Sequence, residues 1–190
     1  MKKILAGLLL GMASLSAQAT AVSLEPFVYL EPVQEKTTFA VGDEAQFLLK
    51  YDFSGNKTLG GGIDVFFNQD VLEFVKWTPE NLGDPAFRRN PVIKRGNLDG
   101  IAFGDFNGLP EVATMGLLQF KVTALGSFDL ILAADSGGVA GDFFSATTFQ
   151  KMENIKFEGA TITAVPLPAG VMLLGSAMMG LIGFRRKQSF

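Results

Sequence analysis

Alternating apolar and polar side chains dominate the middle of the chain. From Ala45 to Phe53 the odd positions are apolar and the even positions mostly polar, which is the pattern of a strand with one buried face. The same alternation runs from Leu118 to Ala124 and from Phe128 to Ala134. If these two segments pair as a hairpin, their parity requires an odd loop, and the three-residue loop Leu125-Gly126-Ser127 sets Ala124 opposite Phe128.

The pattern changes face near the end of this region. The apolar residues Ile155 and Phe157 occupy odd positions, whereas the apolar residues Ala160 and Ile162 occupy even positions. Gly159 lies between them, so we expect a bulge there that switches the buried face.

Few segments of the middle region are typical of a helix. The best candidate is a single turn over 68–72, where an Asn or Asp side chain caps the first backbone donors. Turn signals rich in Gly and Asn separate the short strands at intervals of roughly ten residues. The sequence therefore predicts an all-β fold, a single β-sandwich over residues 20–164.

The first 19 residues have the layout of a secretory signal. Lys2 and Lys3 precede the apolar run Ile4–Met12, and Ala17 and Ala19 occupy the positions that signal peptidase reads. The run is too short to span a bilayer, which needs about 20 apolar residues. We expect export and cleavage after Ala19.

The other end of the chain predicts a membrane span. Residues 165–184 contain no charged side chain, and Arg185, Arg186 and Lys187 follow directly. Twenty helical residues cover roughly 30 Å, the thickness of a hydrocarbon core, and terminal cations favour the cytoplasmic side. A transmembrane helix over about 169–184 would therefore leave the β-domain outside the cytoplasmic membrane.

Two prolines hold the chain extended just before this apolar run, because proline is excluded from helix interiors. The arrangement over 165–187 resembles the PEP-CTERM sorting signal of Gram-negative bacteria. The matching positions are Val165, Pro166, Pro168, Ala169, Arg185, Arg186 and Lys187. Leu167 departs from the motif, which has Glu there. The resemblance implies recognition by an exosortase, removal of the tail and a mature surface or matrix protein; without it, the tail is a membrane anchor.

Composition narrows the chemistry of the β-domain. Residues 20–164 carry 11 basic and 19 acidic side chains, a net charge of 11 − 19 = −8, which argues against nucleic acid as a partner. The chain contains no Cys and no His. This excludes disulfides, thiol catalysis, thiolate metal sites and any Ser-His-Asp triad. We expect no cofactor, no metal site and no catalytic residue.

A second resemblance covers about residues 22–163. It is carried by four segments, 39–43, 61–74, 116–122 and 159–162, and its most specific part is Val71-Leu72-Glu73-Phe74. These segments are similar, in order and spacing, to those of cohesin modules. The resemblance implies a jelly-roll sandwich related to carbohydrate-binding modules. Cohesins bind dockerin domains through one sheet face, but no position here identifies that face, so the resemblance implies the fold and not the partner.

Candidate contact residues are few. Trp77 is the single tryptophan and offers a sugar-stacking ring, or it seals the rim of the sandwich. Arg88, Arg89, Lys94 and Arg95 put four cations within eight residues, which suits an anionic polysaccharide or a solvated loop. For Phe143 and Phe144 we expect one buried ring and one lying over a loop.

Acidic pairs offer the only route to catalysis. The pairs are Asp64 with Asp70, Asp99 with Asp105, and Asp135 with Asp142. Paired carboxylates suit glycoside hydrolysis and clustered oxygens suit calcium, but Asp is also a favoured turn residue, and we favour that interpretation.

Together these features predict an exported, non-enzymatic binding module associated with exopolysaccharide at the cell surface or in the extracellular matrix. Signal peptidase and an exosortase are the expected processing partners. Two alternatives remain, an extracellular glycoside hydrolase that uses paired Asp and a membrane-anchored structural domain that binds another surface protein.

Overall fold

The computed structural model describes residues 25–135 and 141–166. Several predictions lie outside these residues, namely the signal segment with Ala17 and Ala19, the helix over about 169–184, and the motif positions Pro168, Ala169, Arg185, Arg186 and Lys187. Within the described residues, no helix is long and apolar enough to cross a membrane.

The described chain forms twelve strands and one short 3-10 helix over Pro85–Phe87. The strands are β1 (Phe27–Pro32), β2 (Thr38–Ala40), β3 (Glu44–Asp52), β4 (Thr58–Phe66), β5 (Leu72–Pro79), β6 (Val92–Lys94), β7 (Asn97–Gly104), β8 (Val112–Val122), β9 (Gly126–Ala134), β10 (Phe144–Ser145), β11 (Lys156–Glu158) and β12 (Ala160–Val165).

Two sheets build the sandwich that the alternation predicts. One has five strands in the order β11-β1-β3-β8-β5, and the other follows the order β2-β12-β9-β4-β7-β6, with β10 paired to β4. In β3 the alternate side chains from Ala45 to Tyr51 are buried, and their polar neighbours are half-buried or exposed. Burying one such large apolar side chain contributes about 1.5–3 kcal/mol, so this alternation sets the register of the sheet.

The core between the sheets is aromatic. Tyr51 stacks on Phe53 and Phe103, with ring centroids 4.9 and 5.6 Å away. The Tyr51 hydroxyl donates to the carbonyl oxygen of Pro110 at 2.9 Å, so the buried phenol is paired. Burial raises the pKa of Tyr51 far above its usual value, so the phenol is neutral throughout the physiological range.

The segments 118–124 and 128–134 do not pair as a hairpin. β8 pairs with β3 and β5 in the five-stranded sheet, whereas β9 pairs with β12 and β4 in the other sheet. The chain crosses between the sheets at 123–125. Apolar and polar side chains alternate in both strands because the two strands face the same core from opposite sides. The positions of the apolar residues alone do not distinguish this crossing from a hairpin.

The predicted change of face at Gly159 is confirmed, and it is larger than a bulge. β11 ends at Glu158 in the five-stranded sheet, and β12 begins at Ala160 in the other sheet. Gly159 is therefore the point at which the chain passes from one sheet to the other. β12 then runs through Val165 and stops before Pro166.

The single turn predicted at 68–72 is also confirmed. The Asn68 side-chain oxygen accepts from the backbone N–H of Asp70 at 3.0 Å, and the Leu72 N–H donates to the Asn68 carbonyl oxygen at 2.9 Å. The asparagine thus caps one turn that leads into β5, as short polar side chains do at such positions.

Candidate functional site

A pocket lies where the edges of the two sheets meet. Its walls come from β5 and β8 of one sheet, from β7 of the other, and from the loop between β5 and β6, and its volume is 280 Å³. The lining includes Trp77, Glu80, Arg88, Arg89, Asn90 and Met115. We call it the edge pocket.

Local backbone structure fixes the two arginines on the wall of the edge pocket. The Asp84 carboxylate caps the short helix by accepting from the Ala86 N–H at 2.8 Å. After the helix, Arg89 and Ala102 exchange two backbone hydrogen bonds, with N···O distances of 3.0 and 3.3 Å. This bridge extends the pairing of β6 with β7, so Arg88 and Arg89 lie on an ordered edge and not on a free loop.

The Trp77 indole packs against the backbone of β8. A β-carbon added at Gly116 would lie 2.5 Å from an indole carbon of Trp77, so the glycine makes room for the ring. Trp77 is partly buried and packs against the core, yet it also lines the edge pocket. The indole therefore seals the rim of the sandwich and also forms a wall of the pocket.

The structure divides the five predicted contact residues. Trp77, Arg88 and Arg89 line the edge pocket. Lys94 points elsewhere, because its Nζ lies 2.6 Å from a carboxylate oxygen of Asp99. Arg95 is held by Gln69, whose side-chain oxygen, turned towards it, accepts from Nε at 2.6 Å. The four cations of this segment do not form one patch.

Lys94 closes over a buried group of three carboxylates. Oxygens of Asp64, Asp99 and Asp135 lie within 4.8 Å of one another, and the residues are only 1%, 3% and 6% exposed. The Gly100 N–H donates to Asp64 at 2.9 Å, and the Gly141 N–H donates to Asp135 at 3.3 Å.

Lys94 is attracted to all three carboxylates. The hydrogen bond to Asp99, and then the negative charges of Asp99, Asp64 and Asp135, raise the pKa of Lys94 above 10.5. Because the folded-state pKa is the higher one, the stabilisation by the ammonium is complete below pH 10.5. It is lost as the pH rises through the folded-state value.

The structure brings together the first members of the three candidate pairs, and the favoured interpretation as turn residues is wrong for Asp64 and Asp99, which lie within β4 and β7. Asp105 accepts from the Asn107 N–H in a turn, Asp142 pairs with Lys151 at 3.0 Å, and Asp70 is exposed beside Asn68. The three clustered carboxylates offer the oxygen ligands that calcium prefers, but an ammonium already contacts one of them. Glycoside hydrolysis needs two carboxyl groups that flank a bound sugar, and these three are buried.

Sequence reasoning missed a second cavity, of 440 Å³, walled by Phe87, Phe106 and Phe144. The Phe87 and Phe106 rings meet edge to face at 4.7 Å, and Phe106 is 78% exposed. Only Phe144 carried a sequence signal, and the prediction for its pair is confirmed, since Phe143 is 1% exposed and Phe144 is 42% exposed. Nothing in the alternation marks Phe87 or Phe106 as exposed.

The fold of the described domain is similar to that of solved cohesins. A type I cohesin from Pseudobacteroides cellulosolvens aligns with a TM-score of 0.59 at 17% identity, over 76% of this chain and 94% of that one. The described domain has a cohesin-like fold. A non-cellulosomal cohesin from the archaeon Archaeoglobus fulgidus aligns with a TM-score of 0.54 at 14% identity, over 75% of this chain and 92% of that one. A cohesin from a cohesin–dockerin complex of Clostridium thermocellum gives 0.57 at 8% identity, over 75% and 100%.

No protein-family model and no curated protein matches the chain. Each segment that carries the cohesin resemblance contributes buried side chains to the core of this cohesin-like domain. Leu72 is fully buried, and Phe74 packs edge to face on Phe120 at 5.8 Å. The resemblance therefore rests on packing positions, which explains why it predicts the fold.

Proposed function

We propose that this protein is an exported, non-enzymatic binding module whose cohesin-like domain attaches to a polymer of the extracellular matrix. The observation that carries the proposal is the edge pocket, where an indole from one sheet and two guanidinium groups from the edge of the other line one cavity. An indole stacks on sugar rings, and guanidinium groups donate several hydrogen bonds in a fixed plane. Such a wall suits a polysaccharide.

Export and sorting form the second part of the proposal. Signal peptidase cleaves after Ala19, and an exosortase recognises the segment 165–187 and releases the domain to the surface or matrix of a Gram-negative bacterium. The support is the three-part agreement of prolines, apolar run and terminal cations in the sequence. Before processing, the apolar run holds the precursor in the cytoplasmic membrane.

A protein ligand is the second candidate. The fold favours it, because several matching cohesins come from complexes with dockerins. In this case the domain stays near the membrane and binds another surface protein. A hydrolase is not favoured, since the clustered carboxylates are buried and one is paired with Lys94.

A glycan array with matched charge variants tests the proposal. We expect the purified protein to bind at least one bacterial polysaccharide, and Arg88→Gln/Arg89→Gln to weaken that binding at least about tenfold, since each hydrogen bond to a charged group contributes about 1.5–3 kcal/mol. The control is Lys57→Gln/Lys121→Gln, which removes the same charge from exposed positions outside the edge pocket.

Equal loss in both double variants would mean that only overall charge matters, which contradicts a role for the edge pocket. Absence of binding to every glycan, together with capture of a dockerin-like protein domain, would favour the protein ligand.

A further inference from the structure

Two buried donors on the wall of the edge pocket have no acceptor. The Trp77 Nε1–H and the Arg88 Nε–H are buried, and neither donates to any acceptor within residues 25–135 and 141–166. More than about nine in ten buried polar groups in proteins are paired, because a buried donor without a partner is destabilising. Both nitrogens are closed to a molecule the size of water, so a ligand acceptor reaches them only when the Trp77 and Arg88 side chains shift towards the pocket, and the lack of a partner for each donor favours that shift.

The charge of the edge pocket favours an anionic ligand. Arg88 and Arg89 form no ion pair within the described part of the chain. Glu80 is the single acidic residue among those that line the pocket, so the local charge is 2 − 1 = +1. The domain as a whole carries −8 over residues 20–164. The positive charge of the pocket attracts an anion to this site. The negative charge of the rest of the domain repels anions from the other surfaces.

The shape of the pocket limits the size of this ligand. A volume of 280 Å³ is close to the lower end of small-molecule pockets, which begin at about 300 Å³. It therefore suits one sugar unit of a chain. The partly buried indole and the apolar Met115 and Phe103 side chains provide surface for the ring.

We propose that the edge pocket binds an acidic sugar unit of the matrix polymer, with the Trp77 and Arg88 side chains shifting towards it so that both donate to its anionic oxygens, and with Arg89 supplying the second positive charge. The anionic group is the carboxylate of a uronic acid or the sulfate ester of a sugar, since both present acceptor oxygens with negative charge. This inference rests on the proposed function and adds the chemical class of the ligand.

The single tryptophan of the chain makes the test direct, because its fluorescence reports only on this pocket. The full-length protein is titrated with galacturonate oligosaccharides, with sulfated dextran and with neutral dextran of matched length. We expect a saturable change in Trp77 emission with an anionic glycan and none with neutral dextran. Arg88→Gln weakens binding at least about tenfold, and raised salt weakens it further. Lys57→Gln, at an exposed position outside the pocket, stays within twofold of the wild type.

The outcomes distinguish the acidic-sugar inference from the broader proposal that the domain binds a polymer. Saturation with galacturonate or with sulfated dextran identifies the source of the anionic group. Equal binding of neutral dextran, with no effect of Arg88→Gln, overturns the acidic-sugar inference and leaves polymer binding intact. Absence of any emission change, together with array binding that survives Arg88→Gln/Arg89→Gln, overturns the inference and moves the ligand to another surface. Unchanged thermal unfolding of Arg88→Gln shows that the variant is folded.

Discussion

Replacing Gly159 with alanine is expected to lower the free energy of unfolding by about 3 kcal/mol, the upper end of the usual cost of overpacking. A β-carbon at this position would lie 1.8 Å from the carbonyl oxygen of Leu130. That carbonyl belongs to β9, where Leu130 pairs with Ala160 of β12. The clash is with backbone, so relief requires β12 to move away from its neighbour exactly where the chain crosses between the sheets.

Urea denaturation of wild type and Gly159→Ala measures this cost. Gly55→Ala is the matched control, because its β-carbon would meet nothing within 4 Å and only the positive φ of 81° opposes the substitution. We expect that strain to cost about 1–2 kcal/mol. If Gly159→Ala were no more destabilising than Gly55→Ala, the crossing between β11 and β12 would not have the tight backbone contact described here.

Truncation of Phe143 to alanine is expected to cost about 3–5 kcal/mol, the range for a fully buried phenylalanine. Its ring lies 5.5 Å from that of Phe53 and 5.9 Å from that of Phe103, at the centre of the aromatic core. On its other side the ring lies against Gly61, where an added β-carbon would be 2.6 Å away. The surrounding strands are fixed by their ladders, so the cavity would collapse only in part.

The neighbouring residue provides the control. Phe144 is 42% exposed and lies at the rim of the second cavity, so Phe144→Ala is expected to change stability by about 0.5 kcal/mol or less. Both variants are compared by the midpoint and slope of the same denaturation curve. Similar losses in the two variants would show that the assignment of the buried and exposed rings is incorrect.

Hydrophobic alternation predicted strands at β3, β8 and β9, but not the sheets to which they belong. β3 lies almost where the pattern over 45–53 places it, and the change of face at Gly159 is real. The alternation left a hairpin of β8 with β9 open, because a buried stripe records which side of a strand faces the core. It does not record which of the two sheets contains the strand, since that depends on long-range partners such as β3 and β12.

The candidate site was predicted in residue type more than in arrangement. The edge pocket brings Trp77 together with Arg88 and Arg89 because the bridge of Arg89 to Ala102 continues the β6–β7 register. This register relates two distant segments, so the local spacing of residues does not predict it. The carboxylates of Asp64 and Asp99 meet at a register shift between β4 and β7, which turns the expected local pairs into a cluster across strands. Phe106 was missed because composition gives no measure of exposure.

Chemical-shift mapping by NMR shows directly whether the acidic glycan binds in the edge pocket. The protein, labelled with ¹⁵N, is titrated with the acidic glycan that binds most tightly, and the indole N–H of Trp77 gives one isolated signal because the chain has no other tryptophan. We expect the largest shifts on this indole signal and on the backbone amides of Arg88, Arg89 and Ala102. Shifts centred instead on Phe66 and Ile131, exposed neighbours on paired strands β4 and β9, with the indole signal unmoved, would contradict it.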